Sequence, residues 1–136
     1  MFSCSRVDMV HLKSPQEIEV MREGGRILAE IIKKLSDAVK PGITTQDIDK
    51  LASELILFYD KQESGAVEPA FLGYGGYPAN VCTSVNDEVV HCVPSDRWLK
   101  EGKIISLDVG IKYNGFYLDS AATLPVLGRM DYEAWS

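Results

Sequence analysis

The sequence is poor in the residues that mark several protein classes. It has only two histidines and three cysteines, and its 20 acidic residues outnumber its 14 basic ones. The resulting net charge of −6 argues against nucleic-acid binding, which needs clustered Lys and Arg. No apolar run approaches the roughly eighteen residues of a membrane-spanning helix. The first residues also lack the apolar segment of a secretory signal.

The three cysteines do not suggest a disulfide framework. Cys4, Cys82 and Cys92 are odd in number and lack the close spacing of zinc-binding pairs, which favours reduced thiols in a cytoplasmic protein. No residue near Cys4 or Cys92 in the sequence resembles a general base, which argues against nucleophilic thiol chemistry. A chain of 136 residues with 46% apolar composition is expected to form one domain with an ordinary core.

Two amphipathic helices are predicted in the first half of the chain. Residues 14–17, SPQE, have the form of a capping box with proline at the first helical position, and Pro41-Gly42 ends the apolar periodicity that follows. A second helix is predicted to begin at Thr44 or Thr45, with Asp47 in its first turn. Both helices are expected to be scaffold. The expected buried stripe of the second helix comprises Ile48, Leu51, Ala52, Leu55 and Phe58.

After residue 64 the composition indicates strands and loops. Residues 65–94 are rich in Gly, Pro, aromatic and β-branched residues. Asn114-Gly115 lies between two alternating apolar segments and predicts a hairpin with a two-residue type I′ turn. The order of two helices followed by strands predicts an α+β fold, with the two helices packed on an antiparallel sheet.

The predicted hairpin carries two aspartates, Asp108 and Asp119, within otherwise apolar strands. With Asn114-Gly115 as the turn, Asp108 lies opposite Ala121, and Asp119 lies opposite Gly110. The two carboxylates then share one face of the sheet as diagonal neighbours, with Cβ atoms roughly 7–8 Å apart.

Three interpretations of this pair are open. The carboxylates are solvated on an exposed face, or they form an acid/base pair in which one raises the pKa of the other, or they hold a hard divalent cation. The apolar neighbours of Asp108 and Asp119 favour the cation, although two aspartates alone make a weak site.

Other candidate site residues lie upstream of the hairpin. His91, in EVVHCVP, is either a structural residue or a group that contacts substrate or transfers a proton. The segment AFLGYGGYPAN lacks the Lys-Ser/Thr of a P-loop, which disfavours a phosphate cradle. Core packing and the lining of an apolar pocket are both open for Tyr74, Tyr77 and Cys82.

Two long segments closely resemble type I methionine aminopeptidases. They are GYGGYPANVCTSVNDEVVHCVPS and LKEGKIISLDVGIKYNGFYLDSAATLPV, and the stretch from LKSPQEIEVMREGG onward is similar to the start of that family's domain. The resemblance runs from about Leu12 to Val126. It implies a pita-bread (creatinase/aminopeptidase-like) fold of two pseudo-symmetric halves, of which this chain is the N-terminal half. Residues 1–13 are then an extension, and residues 14–136 are a truncated metalloaminopeptidase domain.

The resemblance also implies a function, which is removal of the initiator methionine from nascent proteins. Two divalent metal ions (Co, Mn, Fe or Zn) activate a water for attack on the first peptide bond. Asp108 would bind one metal and Asp119 would bridge both, while His91 would contact the substrate and help to stabilise the transition state. The substrate is then the N-terminal Met of a nascent peptide, and ribosome association is left open. The positions around the methionine side chain are matched by Tyr74, Tyr77 and Cys82.

The sequence departs from this family at several positions. The family's other metal ligands, a histidine and two glutamates, have no counterpart, because no histidine follows His91 and the only acidic residues after the hairpin are Asp131 and Glu133. Metal binding is therefore expected to be weak or partial. Gly75 stands where the family has a histidine, and Cys92 stands where it has a glycine. The latter replacement is expected to strain a tight backbone position.

Two other functions are considered. A non-catalytic binding module on this fold would usually lose its metal ligands, whereas Asp108, Asp119 and His91 are present here. Xaa-Pro-specific aminopeptidases of the same fold generally carry an extra N-terminal domain, and TSVNDEVVHCVP fits the methionine enzymes better. A half-fold is also expected to expose apolar surface, which predicts self-association or binding of a missing C-terminal half.

Overall fold

The computed structural model describes residues 10–89 and 91–128. Two helices precede four strands, and this order confirms the predicted α+β class. The helices are α1 (Pro15–Ala38) and α2 (Thr45–Gln62). The strands are β1 (Val67–Pro69), β2 (Val81–Val85), β3 (Ile104–Tyr113) and β4 (Phe116–Pro125), with a 3₁₀ turn at Tyr74–Gly76 between β1 and β2. Cys4, Asp131 and Glu133 lie outside the described residues.

Both helices begin with the predicted caps. The Ser14 hydroxyl accepts a hydrogen bond from the Glu17 N–H at 3.1 Å, and the Glu17 carboxylate accepts one from the Ser14 N–H at 3.0 Å. Thr44 and Asp47 form the same reciprocal pair at the start of α2. These bonds satisfy backbone donors that a helix N-terminus leaves without partners. In the part of the chain that the structure describes, neither helix is long and apolar enough to cross a membrane.

The buried face of α2 differs from the predicted stripe. Ile48 and Ala52 are buried as expected, but the next buried positions are Ile56 and Tyr59, and Phe58 is 49% exposed. The sheet contacts the row formed by Ile48, Ala52, Ile56 and Tyr59 on one side of the helix. The predicted row lies beside it on the helix surface, at the margin of the core. The members of that row that are only partly buried are Leu51 and Leu55.

The four strands form one antiparallel sheet with β3 at its centre. Strand β4 pairs with one side of β3 along ten residues, while β1 and β2 pair with successive parts of the other side. Helix α1 packs on β3 and β4, and helix α2 packs on β1 and β2. Gly24 of α1 permits this close approach, because a Cβ atom there would lie 2.3 Å from Cδ1 of Leu118. The helices thus cover one face of the sheet.

Candidate functional site

The hairpin that carries the aspartates has the predicted register. Asn114 and Gly115 have φ angles of 45° and 87°, as a type I′ turn requires. Asp108 pairs with Ala121, and Asp119 pairs with Gly110. The residues that alternate with Asp108 along β3 are buried against the helices, so its carboxylate projects from the opposite face of the sheet. These alternate residues are Ile105, Leu107, Val109 and Ile111.

Asp108 is not a solvated surface carboxylate. Burial, followed by the adjacent Asp119 carboxylate, raises the pKa of Asp108 to about 6, whereas His91 acts to lower it. The Oδ1 atom of Asp108 is buried and has no hydrogen-bond partner among the described residues. A buried carboxylate oxygen without a partner is costly. The pair is therefore arranged either to share a proton or to receive a cation.

Gly110, opposite Asp119, makes room for an aromatic ring. A Cβ atom at Gly110 would lie 2.6 Å from Cε1 of Phe71 and 3.2 Å from Cβ of Ala70. The Phe71 ring in turn meets the Tyr77 ring edge-on, with centroids 6.5 Å apart. The sequence analysis missed Phe71 as a site residue. The one signal for it was a glycine opposite a carboxylate in the middle of a strand.

A cleft of about 400 Å³ brings the sequence-predicted site residues together. It lies on the face of the sheet away from the helices and adjoins a second cleft of about 390 Å³ that also reaches Asp119. Aromatic and apolar groups form one wall, and the carboxylates form the other. The residues that line the first cleft are Phe71, Tyr74, Gly75, Tyr77, Cys82, His91, Asp108 and Asp119.

Tyr77 and Cys82 form the buried side of this cleft. The Tyr77 hydroxyl donates to the Val81 carbonyl oxygen at 2.9 Å and lies 3.3 Å from that of Cys92, which ties the 3₁₀ turn to the segment bearing His91. Burial raises the pKa of the Tyr77 hydroxyl and of the Cys82 thiol, so both groups stay protonated and neutral. Cys82 thus belongs to the core and to the cleft wall at once.

Tyr74 and Gly75 lie at the mouth of the cleft. Tyr74 is 80% exposed, so core packing does not explain it. Gly75 has a φ of 55°, and a Cβ atom built on it would meet no atom within 4 Å. This part of the cleft is therefore open to solvent.

His91 is exposed at the edge of the cleft, and its backbone is unusual. The residue has a φ of 60°, a left-handed conformation that few non-glycine residues adopt. Cys92 is not among the residues with positive φ, so the strain expected at Cys92 is wrong and lies one residue earlier. The Thr83 N–H donates to the Cys92 carbonyl at 2.9 Å and holds this segment beside β2.

The aspartates fit one side of a cation site. Their oxygen donors suit a hard divalent ion, and the buried Oδ1 of Asp108 lacks the partner that such an ion would supply. Within residues 10–89 and 91–128, however, no group of three or more His, Cys, Asp or Glu side chains could hold a metal ion. A site of two carboxylates leaves most coordination positions of a divalent ion to water or to other ligands.

Comparison with known proteins gives the family. The sequence model of metallopeptidase family M24 matches residues 19–135. The chain belongs to metallopeptidase family M24. Methionine aminopeptidase 1 of Bacillus subtilis is 45% identical over 118 residues, which are 87% of this chain and 45% of that protein. Methionine aminopeptidase of Clostridium acetobutylicum is 45% identical over 127 residues, which are 93% of this chain and 48% of that protein. The chain thus spans about half the length of these curated relatives.

Solved structures confirm the predicted half of a pita-bread fold. The methionine aminopeptidase of Rickettsia prowazekii superposes with a TM-score of 0.81 at 30% identity, over 93% of this chain and 49% of that one. The prolidase of Pyrococcus furiosus superposes with a TM-score of 0.66 at 20% identity, over 83% of this chain and 32% of that one. The second likeness shows the shared fold alone.

Proposed function

We propose that this M24 chain is the aspartate-bearing half of a metal-dependent methionine aminopeptidase, a hydrolase that removes the initiator methionine from nascent proteins. One observation carries the proposal. Asp108 and Asp119 meet His91 in one cleft, in a chain 45% identical to a methionine aminopeptidase over 118 residues. Residues 14–136 form this half-domain, and residues 1–13 are an extension. A cytoplasmic location, where nascent chains leave the ribosome, is part of this proposal.

The residues of the cleft divide into a polar and an apolar set. A divalent ion at the aspartates, with Co, Mn, Fe and Zn as candidates, would supply an activated water and polarise a peptide carbonyl. Asp108 offers its buried oxygen to the ion, and Asp119 offers a carboxylate from the exposed side of the cleft. His91 contacts the substrate from the edge of the cleft and helps to stabilise the transition state. The methionine side chain packs on Phe71, Tyr74, Tyr77 and Cys82.

Peptide binding and cleavage test this proposal. The purified chain is titrated with Met-Ala-Ser and with Gly-Ala-Ser in the presence of Mn²⁺, and released amino acid is measured in the same samples. We expect Met-Ala-Ser to bind at least several-fold more tightly, since it packs the methionine side chain, which glycine lacks, against the apolar wall. Any release of methionine should disappear in Asp119→Asn. Equal binding of the two peptides contradicts the proposal, and equal release by both chains identifies a contaminating enzyme.

A non-catalytic binding module is the second candidate. The small number of side chains that could bind a metal ion favours this candidate, because Asp108 and Asp119 are the only carboxylates that line the cleft in the described chain. The same titration distinguishes the two functions. A module binds the methionyl peptide with the same affinity with and without Mn²⁺ and releases no methionine at any enzyme concentration. An Xaa-Pro-specific peptidase would instead prefer a peptide with proline at its second position.

A further inference from the structure

His91 lines the cleft from a backbone conformation that few residues adopt. Its φ of 60° lies in the left-handed region, where a non-glycine side chain costs free energy. Such a conformation persists only when the surrounding structure holds it, and residues of this kind cluster at functional sites. His91 shares its cleft with Asp108 and Asp119. The contacts that hold His91 therefore decide how its imidazole is presented to a bound molecule.

One set of contacts lies three residues before His91, at Glu88. The Glu88 carboxylate accepts a hydrogen bond from the Val85 N–H at 3.0 Å, and the Glu88 N–H donates to the Val85 carbonyl at 3.2 Å. Glu88 also forms an ion pair with Arg97. These contacts fix the turn that follows β2. In the described structure neither Glu88 nor Arg97 lines the cleft, so this first anchor is remote from any bound peptide.

A second anchor is the Cys92 carbonyl, which directly follows His91. It accepts a hydrogen bond from the Thr83 N–H at 2.9 Å, and the Tyr77 hydroxyl lies 3.3 Å from the same oxygen. Tyr77 also donates to the Val81 carbonyl at 2.9 Å, so its hydroxyl joins the segment that carries His91 to the start of β2. Among the side chains that form these described contacts, that of Tyr77 alone also lines the cleft.

We propose that the Tyr77 hydroxyl positions His91, so that one side chain links the apolar wall of the cleft to the imidazole. The Tyr77 ring meets the Phe71 ring edge-on in that wall, and its hydroxyl holds the carbonyl that follows His91. A methionine side chain that packs on the Tyr77 ring restricts the motion of the ring and steadies the hydroxyl. His91 is then held more firmly when methionine is bound than when glycine occupies the same position. Recognition of the first residue and placement of His91 are therefore coupled.

A merely structural role for the Tyr77 hydroxyl makes a different prediction. Its loss would then lower the free energy of unfolding, and any loss of peptide affinity would not depend on the presence of His91. A positioning role makes the effects of Tyr77 and His91 non-additive, because the hydroxyl acts on the peptide through the imidazole. This coupling rests on the proposed function, whereas the hold on the His91 segment does not. Two separate measurements therefore test them.

Amide hydrogen exchange in EDTA, without peptide, tests the hold on the segment. In Tyr77→Phe we expect the Thr83 amide to exchange about fivefold faster relative to amides of the β3–β4 ladder, because its acceptor, the Cys92 carbonyl, has lost a support. Tyr113→Phe is the matched control. Its hydroxyl lies 3.4 Å from the Glu63 carboxylate, outside the cleft, so its loss should not change the relative exchange of Thr83. Equal relative exchange in the wild type and Tyr77→Phe would overturn the proposal.

Peptide binding tests the coupling between Tyr77 and His91. The affinity for Met-Ala-Ser is measured with Mn²⁺ for the wild type, Tyr77→Phe, His91→Ala and the double variant. We expect each single variant to bind roughly threefold more weakly or worse, and the double variant to bind like His91→Ala within about twofold. With Gly-Ala-Ser the coupling should be smaller, since this peptide leaves the Tyr77 ring without a contact.

The outcomes separate this inference from the proposed function. Losses of affinity that multiply in the double variant would overturn the positioning role of Tyr77, even when the wild type prefers Met-Ala-Ser to Gly-Ala-Ser. A wild type without that preference refutes the proposed function and, with it, the coupling to the substrate. The Thr83 exchange then still decides whether the Tyr77 hydroxyl holds the segment that carries His91.

Discussion

At the scale of single residues, Asp108 makes one contribution to stability depend on pH. Its carboxyl is half-buried beside a second carboxylate, and its buried Oδ1 atom lacks a hydrogen-bond partner in the described structure. Both effects disfavour the ionised form. The pKa rises from the ordinary 3.8 to about 6 in the folded chain. A group whose folded pKa is raised binds its proton more tightly in the folded state than in the unfolded state.

This difference predicts a pH-dependent loss of stability. An acid with a raised folded pKa destabilises the fold once ionised, so the contribution of Asp108 to the free energy of unfolding should fall as pH rises from about 4 to about 6. After allowance for solvent screening, the loss is about 1 kcal/mol. Urea denaturation in EDTA at pH 4.5 and pH 7 measures it. Asp108→Asn cannot ionise and should lose less stability over this interval, and an identical loss in both chains would disprove the assignment to Asp108.

At the scale of secondary-structure elements, a side chain of α2 fixes the start of β2. The Asp49 carboxylate accepts from the Asn80 N–H at 2.7 Å and from the Val81 N–H at 3.3 Å. These bonds position the strand that carries Cys82 into the cleft. The Asp49 carboxylate therefore links the helical layer to the candidate site, although it does not line the cleft.

Removal of this link should destabilise the whole domain. Asp49→Ala leaves two partly buried backbone donors without their charged acceptor, so we expect the free energy of unfolding to fall by about 2 kcal/mol. Asp37→Ala is the matched control. Its carboxylate is 60% exposed and, among the described residues, pairs only with Lys33 on the surface of α1, a contact worth less than about 0.5 kcal/mol. Urea denaturation compares the two variants. Equal losses of unfolding free energy in the two variants would show that the Asp49 hydrogen bonds do not stabilise the domain more than a surface ion pair does.

The sequence predicts those elements whose determinants are local. The caps at Ser14 and Thr44 and the turn at Asn114-Gly115 depend on residues a few positions apart, and the hairpin register follows from the turn. Phe71 and Asp49 were missed because their partners are distant in the sequence: Phe71 packs on Gly110, and Asp49 bonds to the start of β2. No local pattern encodes such contacts.

The error on α2 has a similar cause. Apolar residues occupy two adjacent rows of this helix, one through Ile48, Ala52 and Ile56 and one through Leu51 and Leu55. Helical periodicity identifies both rows equally well. The choice between them depends on where the sheet lies, which only the tertiary structure provides. The sequence-predicted site residues do line one cleft, because they lie in two contiguous segments that the sheet brings together, and their roles stay a prediction.

At the scale of the whole molecule, the described chain is a two-layer half-domain with one covered face. The helices bury the apolar side of the sheet, while the side with the aspartates and the aromatic cleft remains uncovered. The relatives it matches are about twice as long. The uncovered face therefore carries the two carboxylates that we propose as metal ligands, with few further donors beside them in the described chain.

Binding of Mn²⁺, followed by electron paramagnetic resonance, tests this account most directly. The wild type should bind the ion weakly, with a dissociation constant on the order of 10⁻⁴–10⁻³ M, because two carboxylates neutralise its charge but leave most coordination to water. Asp108→Asn and Asp119→Asn should each weaken binding at least roughly tenfold, since either change removes a charged ligand. Asp87→Asn, at an exposed carboxylate in the turn after β2, should bind like the wild type. Equal affinity in all four chains would show that the aspartate pair is not a metal site.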